Sequence, residues 1–83
     1  MKAIIKKHTP GNHTAEQVLS HGATVYQGNV AEVRQELRNL RKLAAQKYEC
    51  TSTDETKSDF ISCEMSKYRA FKFDGEIWTE IYI

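Results

Sequence analysis

Three histidines and two cysteines are the residues of this chain whose types suit metal binding or nucleophilic catalysis. His8, His13 and His21 fall in the first quarter of the 83-residue sequence, whereas Cys50 and Cys63 come much later. Neither zinc-finger spacing nor a His-Glu-helix motif relates any two of them. Cys63 lies in an alternating pattern typical of a strand. In such a pattern a cysteine is more simply interpreted as a small core residue than as a nucleophile. The spacing therefore predicts no metal and no cofactor.

Two other kinds of catalytic motif are missing from the sequence. The four glycines are scattered, and each fits a turn or a helix cap rather than a glycine-rich phosphate loop. No local spacing places a pair of carboxylates for general acid–base catalysis. The sequence therefore predicts a protein that is not an enzyme.

A set of basic residues is the clearest candidate for binding. Between Asn29 and Tyr48 the apolar residues recur with a helical period, and four basic residues run along one flank. We call these residues the basic stripe: Arg34, Arg38, Arg41 and Lys42. None of them has an Asp or Glu three or four residues away, so the helix itself does not neutralise them. The stripe is either a contact surface for phosphates or partner carboxylates, or a solvated face whose charges complement the helix dipole.

The same segment is the longest helix that the sequence predicts, and it must position the stripe. Asn29 is a good N-cap and Glu32 completes a capping box. One face carries the apolar positions Val30, Val33, Leu37, Leu40 and Ala44. A second, short helix is predicted near residues 14–21, because Thr14 and Gln17 have the same capping spacing.

The remaining apolar segments predict strands. These cover residues 1–8, 23–27, 60–67, 68–73 and 76–83, with an apolar-free loop at 51–58. Asp74-Gly75, between the last two strands, predicts a hairpin with a two-residue type I′ turn. We expect residues 1–83 to form a single α+β domain. In it the long helix packs on a four- or five-stranded, mostly antiparallel sheet.

A two-residue turn fixes which hairpin residues share a face. It pairs Phe73 with Glu76, Phe71 with Trp78, and Arg69 with Glu80, and it adds Tyr82 to the same aromatic face. The other, aliphatic face carries Tyr68, Ala70, Lys72, Ile77, Thr79, Ile81 and Ile83. Because the long helix covers only one face, the other must be exposed, covered by the short helix and loops, or used against a partner.

Two interpretations of the hairpin follow. In the first, the aromatic face is core, and Arg69 and Glu80 form a cross-strand pair at its margin. In the second, the aliphatic face is core, and Phe71, Phe73 and Trp78 form an exposed platform. Such a platform can stack unpaired bases or anchor a protein interface. In both, a second apolar face favours a partner or a homo-oligomer.

Composition limits the class of protein. The net charge of +1 is too small to indicate a polybasic nucleic-acid binder. No apolar run approaches the roughly 18 residues that a membrane span needs. The apolar stretch after Met1 is too short for a secretory signal. We therefore expect a cytoplasmic protein without membrane contact, whose cysteines are free thiols.

The C-terminal hairpin carries a family resemblance. Residues 68–78 read Tyr-Arg-Ala-Phe-Lys-Phe-Asp-Gly-Glu-Ile-Trp, which resembles the closing hairpin of a small phage-encoded anti-CRISPR protein that acts on type I-F surveillance complexes. The shared features are Ala, an aromatic residue, Lys, Asp-Gly and a Trp three residues later. Met1-Lys2-Ala3 and one helix on a small antiparallel sheet also agree. The resemblance implies a non-enzymatic inhibitor of a large RNA-guided complex, with Lys72 as a contact.

These observations together favour a small non-enzymatic binding protein. We expect a phage or mobile-element inhibitor that acts in the host cytoplasm by protein–protein contact. Its partner would be a host protein or ribonucleoprotein complex, a CRISPR surveillance complex above all. The candidate contact residues are Arg34, Arg38, Arg41, Lys42, Lys72, Phe71 and Trp78. The alternative is a small nucleic-acid-binding domain that uses the stripe and the sheet aromatics.

Overall fold

The computed structural model describes residues 1–82, and within them three helices accompany one four-stranded sheet. The elements are β1 (Lys2–Lys7), α1 (Ala15–His21), β2 (Ala23–Gly28), α2 (Val30–Glu49), α3 (Lys57–Met65), β3 (Tyr68–Phe73) and β4 (Trp78–Ile81). The strands are antiparallel in the order β2-β1-β3-β4. The predicted α+β architecture, with the long helix on the sheet, is confirmed. Ile83, which we expected on the aliphatic face, lies outside the described residues.

Capping fixes where α1 and α2 begin. The Asn29 side chain accepts a hydrogen bond from the backbone N of Glu32 at 2.8 Å, and the Glu32 carboxylate accepts from the backbone N of Asn29 at 3.2 Å. Thr14 and Gln17 form the same reciprocal pair at the start of α1. Each pair satisfies two backbone donors that the first helical turn leaves free. The predicted capping boxes are therefore confirmed.

Each face of the sheet carries a buried cluster, because α1 and α2 lie on opposite sides of it. The larger core, beneath α2, consists of Ala3, Ile5, Val33, Leu37, Ala70 and Ile81. On the other side Val18 of α1 packs with Ile4 and Phe71. Successive side chains of a strand point to opposite faces, so β1 contributes to both cores. This is why its three consecutive residues 3–5 are all buried.

The aromatic face is therefore covered in part by the short helix. Phe71 has 0% exposure. Phe73 and Trp78 are half-buried, and their ring centroids lie 4.9 Å apart. The interpretation that exposes Phe71 on a platform is wrong, since Val18 of α1 packs on that side of the sheet. The short helix thus covers part of the second apolar face, which we expected to favour a partner or a homo-oligomer.

Residues 57–65 form α3, so the strand predicted over residues 60–67 is wrong. Thr56 caps this helix by accepting a hydrogen bond from the backbone N of Asp59 at 3.2 Å. Phe60 is buried, and its ring centroid lies 5.5 Å from that of Tyr48 on α2. Cys63 is exposed on α3 and is not a core residue. Packing against α2 stabilises a helix that has little apolar periodicity of its own.

The predicted hairpin is present, but its register differs from the prediction by two residues. Phe73 pairs with Trp78 and Phe71 pairs with Glu80. Four residues therefore connect the strands instead of two. Because side chains alternate with a period of two, this shift leaves every side chain on its predicted face.

The Asp74 side chain explains the longer loop. Its carboxylate accepts hydrogen bonds from the backbone N of Glu76 at 2.9 Å and of Ile77 at 3.0 Å. Gly75 has a φ of 106°, while no non-glycine residue in the described chain has a positive φ. A type I′ turn needs positive φ at both central residues, so the predicted turn type is wrong. Side chain to backbone bonds of this kind compete with the tight turn.

Candidate functional site

The basic stripe runs along a flank of α2, beside the face that packs on the sheet. Val33 and Leu37 point into the core, and all four stripe side chains are exposed. Arg38 Nη1 donates to the side-chain oxygen of Gln35 at 3.4 Å, one turn back along the helix. The structure thus places the stripe where the helical period predicts.

The stripe differs from the other cations of the helices in its lack of ion pairs. Within residues 1–82 the ion pairs join Lys47 to Glu64, Lys67 to Glu64, Lys57 to Glu49, and Arg69 to Glu80. No stripe residue takes part in any of them. Four uncompensated positive charges on one helix raise the local potential and attract an acidic ligand.

A shallow cleft of about 180 Å³ adjoins the stripe, where α2 passes over the end of the sheet. Arg38 and Arg41 line one wall, and Arg69, Glu80 and Tyr82 line others. Tyr82 is 78% exposed, so its ring is available at the same opening as the two guanidinium groups. Tyr and Arg are the residue types that most often anchor protein interfaces.

Glu80 is already neutralised by Arg69 and does not cancel the charge of the stripe. Arg69 Nε donates to one carboxylate oxygen of Glu80 at 3.0 Å, and Arg69 Nη2 donates to the other. Hydrogen bonding to Glu80 raises the pKa of Arg69, and burial opposes this effect. The predicted cross-strand pair between these residues is confirmed, although the two lie on a diagonal because of the register shift.

The structure divides the remaining predicted contacts between two sides of the sheet. Lys72 is half-buried in β3, next in alternation to Ala70, and so belongs to the face beneath α2. Phe71 and Trp78 lie on the α1 side, where Phe71 is fully buried and Trp78 packs against its cluster. A partner seated on the stripe therefore has no access to Phe71.

Tyr82 is the cleft residue that the sequence did not single out. Alternation placed it on the aromatic face, with no indication that it stays exposed. Tyr82 stays exposed because it lies beyond Ile81, the last residue of β4 that pairs with β3. A large side chain at the end of an edge strand has few neighbours to cover it.

Within residues 1–82, no three His, Cys, Asp or Glu side chains are grouped so that they could hold a metal ion. Over the same range, no helix combines the length and the apolar character that crossing a membrane requires. Comparison of the chain with protein-family models, with curated proteins and with solved structures found no match. The functional argument therefore depends on geometry and charge.

Proposed function

We propose that this protein is a small, non-enzymatic binding protein whose basic stripe contacts an acidic surface of a partner protein. One observation carries the proposal: within residues 1–82 no stripe residue has an ion-pair partner, whereas the other two lysines of the helices, Lys47 and Lys57, each have one. Exposed charges contribute little to folding stability. Complementary charges across an interface, in contrast, increase association rate and specificity.

The cleft beside the stripe supports a protein as the partner. A carboxylate side chain entering it would meet Arg38 and Arg41, with the exposed ring of Tyr82 beside them. Planar guanidinium groups bind carboxylates through paired hydrogen bonds. In protein interfaces a few central residues of this kind usually contribute most of the binding energy, and the charges around them contribute less.

The partner that we propose is a host protein or ribonucleoprotein complex, and within that class a CRISPR surveillance complex. Support for this finer proposal comes from the resemblance of residues 68–78 to the closing hairpin of a phage anti-CRISPR protein. Lys72 of that hairpin would add a contact. Inhibition would result from occupancy of the partner surface in the host cytoplasm, with no chemical step.

A nucleic acid is the competing ligand, because the same four cations suit phosphates. The burial of Phe71 argues against it, since the predicted base-stacking platform loses its central ring. Salt dependence separates the two ligands. A nucleic-acid complex with four phosphate contacts should show a log–log salt slope of about −3.6.

The test is affinity capture with a matched charge control. Tagged wild type, the stripe variant Arg38→Glu/Arg41→Glu and the control Lys2→Glu/Lys57→Glu are incubated with purified type I-F surveillance complex and with host lysate, before and after nuclease treatment. Both variants change net charge equally, and Lys2 and Lys57 are exposed residues outside α2. We expect the stripe variant to weaken partner binding at least about tenfold, and the control by less than about twofold.

Two results would contradict the proposal. Equal weakening by both variants would show that net charge alone matters and not the stripe. Loss of the captured partner on nuclease treatment, together with direct binding of DNA or RNA at low salt, would establish the nucleic-acid alternative. If the lysate yields a stripe-dependent partner other than a surveillance complex, the proposal of a protein-binding stripe is supported. The proposal that the partner is a CRISPR surveillance complex is then wrong.

A further inference from the structure

The two edge strands of the sheet differ in how regularly they pair. β2 lies at one edge and β4 at the other. The register of β2 against β1 shifts at Val25, which has no partner residue in β1. Bulges of this kind twist an edge and hinder the addition of another strand. All residues of β4 pair with β3 without a shift, so β4 is the more open edge.

The outer side of β4 presents unpaired backbone groups. The backbone N of Asp74 donates to the carbonyl oxygen of Ile77 at 3.3 Å. Because hydrogen-bonded pairs alternate along an antiparallel ladder, Thr79 directs its backbone groups towards β3, whereas Trp78 and Glu80 direct theirs outwards. Within residues 1–82 the sheet has no strand beyond β4 that bonds to them. A further strand would therefore meet donors and acceptors that are already aligned.

Edge strands are commonly protected by charged side chains, and this protection is weak at β4. Glu80 carries the one charge of the strand, and both of its carboxylate oxygens accept hydrogen bonds from Arg69. Ile77, just before the strand, is 63% exposed, and Tyr82, just after it, is also exposed. The edge thus lies between two exposed hydrophobic side chains and carries no uncompensated charge.

The two ends of this edge have opposite charge. At its start Glu76 is exposed, and no ion pair within residues 1–82 uses it. At its other end Tyr82 borders the cleft that Arg38 and Arg41 line. Two antiparallel copies of the edge would bring the acidic end of each copy beside the basic end of the other. The edge is therefore complementary in charge to itself.

We propose that β4 pairs with β4 of a second copy of this chain, which joins two four-stranded sheets into one continuous sheet. A twofold axis perpendicular to the sheet keeps every side chain on its own face, so the axis passes through a residue of the strand. With the axis at Glu80, two glutamates would lie directly opposite each other, which is unfavourable. With the axis at Thr79, a Thr–Thr pair forms, and Ile77 lies opposite Ile81 of the second copy.

The register with Thr79 on the axis also places Glu76 of one copy opposite Tyr82 of the other, beside Arg38 and Arg41. Ion pairs between the copies would then use charges that have no partner within residues 1–82 of one chain. The other two stripe residues do not line the cleft, so they stay available to a different protein. Dimerisation does not depend on the proposed function, because it needs no other protein. A single strand pair forms a small interface, so the dimer is in concentration-dependent equilibrium with the monomer.

Sedimentation equilibrium of the purified full-length chain measures the association. We expect the average mass to rise from that of one chain towards that of two between about 10 µM and 1 mM. N-methylation of Glu80 tests the strand pairing itself, because it removes an outward backbone donor and keeps the side chain. A synthetic segment 63–83, which begins with the native Cys63, is ligated to recombinant residues 1–62 and leaves the sequence unchanged. The modification should weaken the dimer at least about tenfold, whereas N-methylation of Gly75 in the turn should change it less than about twofold.

Charge reversal tests the contact between the copies. Glu76→Lys and Arg38→Glu/Arg41→Glu should each weaken the homodimer by about tenfold or more, because like charges then meet at both ends. An equimolar mixture of the two variants should associate about as tightly as wild type, since opposite charges meet again at both ends. Glu16→Lys, on the exposed side of α1, is the matched control and should change the association less than about twofold.

Three results would overturn the proposal. The first is a chain that keeps the mass of a monomer at about 1 mM, which would leave β4 as an edge for a segment of a different protein. The second is a dimer that N-methylation of Glu80 does not weaken, because such a dimer uses another surface. The third is a mixture of the two charge variants that associates no more tightly than either variant alone.

Discussion

Arg69 of β3 and Glu80 of β4 are joined by two hydrogen bonds, although Glu80 lies directly opposite Phe71. The pair runs diagonally across the aromatic face of the hairpin. Arg69 also donates from Nη1 to the carbonyl oxygen of His13 at 2.8 Å. A single guanidinium thus connects both hairpin strands to the loop that precedes α1.

Removing Arg69 should destabilise the fold more than an ordinary surface substitution does. The Glu80 side chain is only 15% exposed and would lose its partner. We expect Arg69→Ala to lower the free energy of unfolding by about 2 kcal/mol in urea titrations. The double variant Arg69→Ala/Glu80→Ala should lose less than the sum of the single variants. Strict additivity would mean that the two side chains do not interact.

The hairpin loop should weaken in acid because of Asp74. Hydrogen bonds from the backbone N of Ile77 and Glu76 hold its pKa below the ordinary value. A carboxylate whose folded-state pKa is lowered stabilises the fold above its unfolded pKa, and this contribution disappears as pH falls through the folded pKa. We therefore expect wild type to lose more thermal stability than Asp74→Asn between about pH 4 and pH 2. Asp54→Asn, in an exposed loop, serves as the control and should follow wild type.

The second core, beneath α1, should contribute measurably to stability. Val18 is 1% exposed and packs with Ile4 and Phe71, whereas Val25 of β2 is 46% exposed. The same substitution at the two sites gives a matched comparison. Val18→Ala should lower the free energy of unfolding by about 2 kcal/mol, and Val25→Ala by less than about 0.5 kcal/mol. Similar losses at both sites would show that α1 does not form a packed layer.

Both cysteines should react readily in the folded protein. Cys50 is exposed at the end of α2, and Cys63 is exposed on α3. Ellman's reagent should therefore titrate two thiols per chain in native buffer, at rates close to those in urea. One slow thiol that becomes fast only in urea would indicate a buried Cys63, as expected of the strand that the sequence predicted there.

Local signals allowed α2 to be predicted from the sequence, and the absence of such signals explains the error at α3. The Asn29–Glu32 capping box and a regular apolar face mark α2, and neither depends on the rest of the fold. In α3 the buried residue is Phe60, so apolar periodicity is weak. The spacing of Thr56 and Asp59 was the available signal, and it lies within a stretch so polar that it resembled a loop.

The stripe could likewise be predicted from a local sequence pattern, whereas the cleft beside it could not. A helical period is enough to place Arg38 and Arg41 on one exposed flank. That they share a cleft with Tyr82 depends on where the end of β4 meets α2, about forty residues away in the chain. The sequence therefore predicts the charges of the candidate site but not the aromatic ring beside them.

The position of β1 in the sheet has a consequence for synthesis. β1 lies between β2 and β3, and its residues 2–7 pair with residues 68–73. On a ribosome, β1 and β2 can meet early, but both cores stay open until β3 has emerged. The nascent chain would then carry an unpaired inner edge with three consecutive apolar residues, a surface that chaperones and other nascent chains bind. Slow translation before residue 68 would prolong that exposure, so expression yield should depend on the speed of translation through α2 and α3.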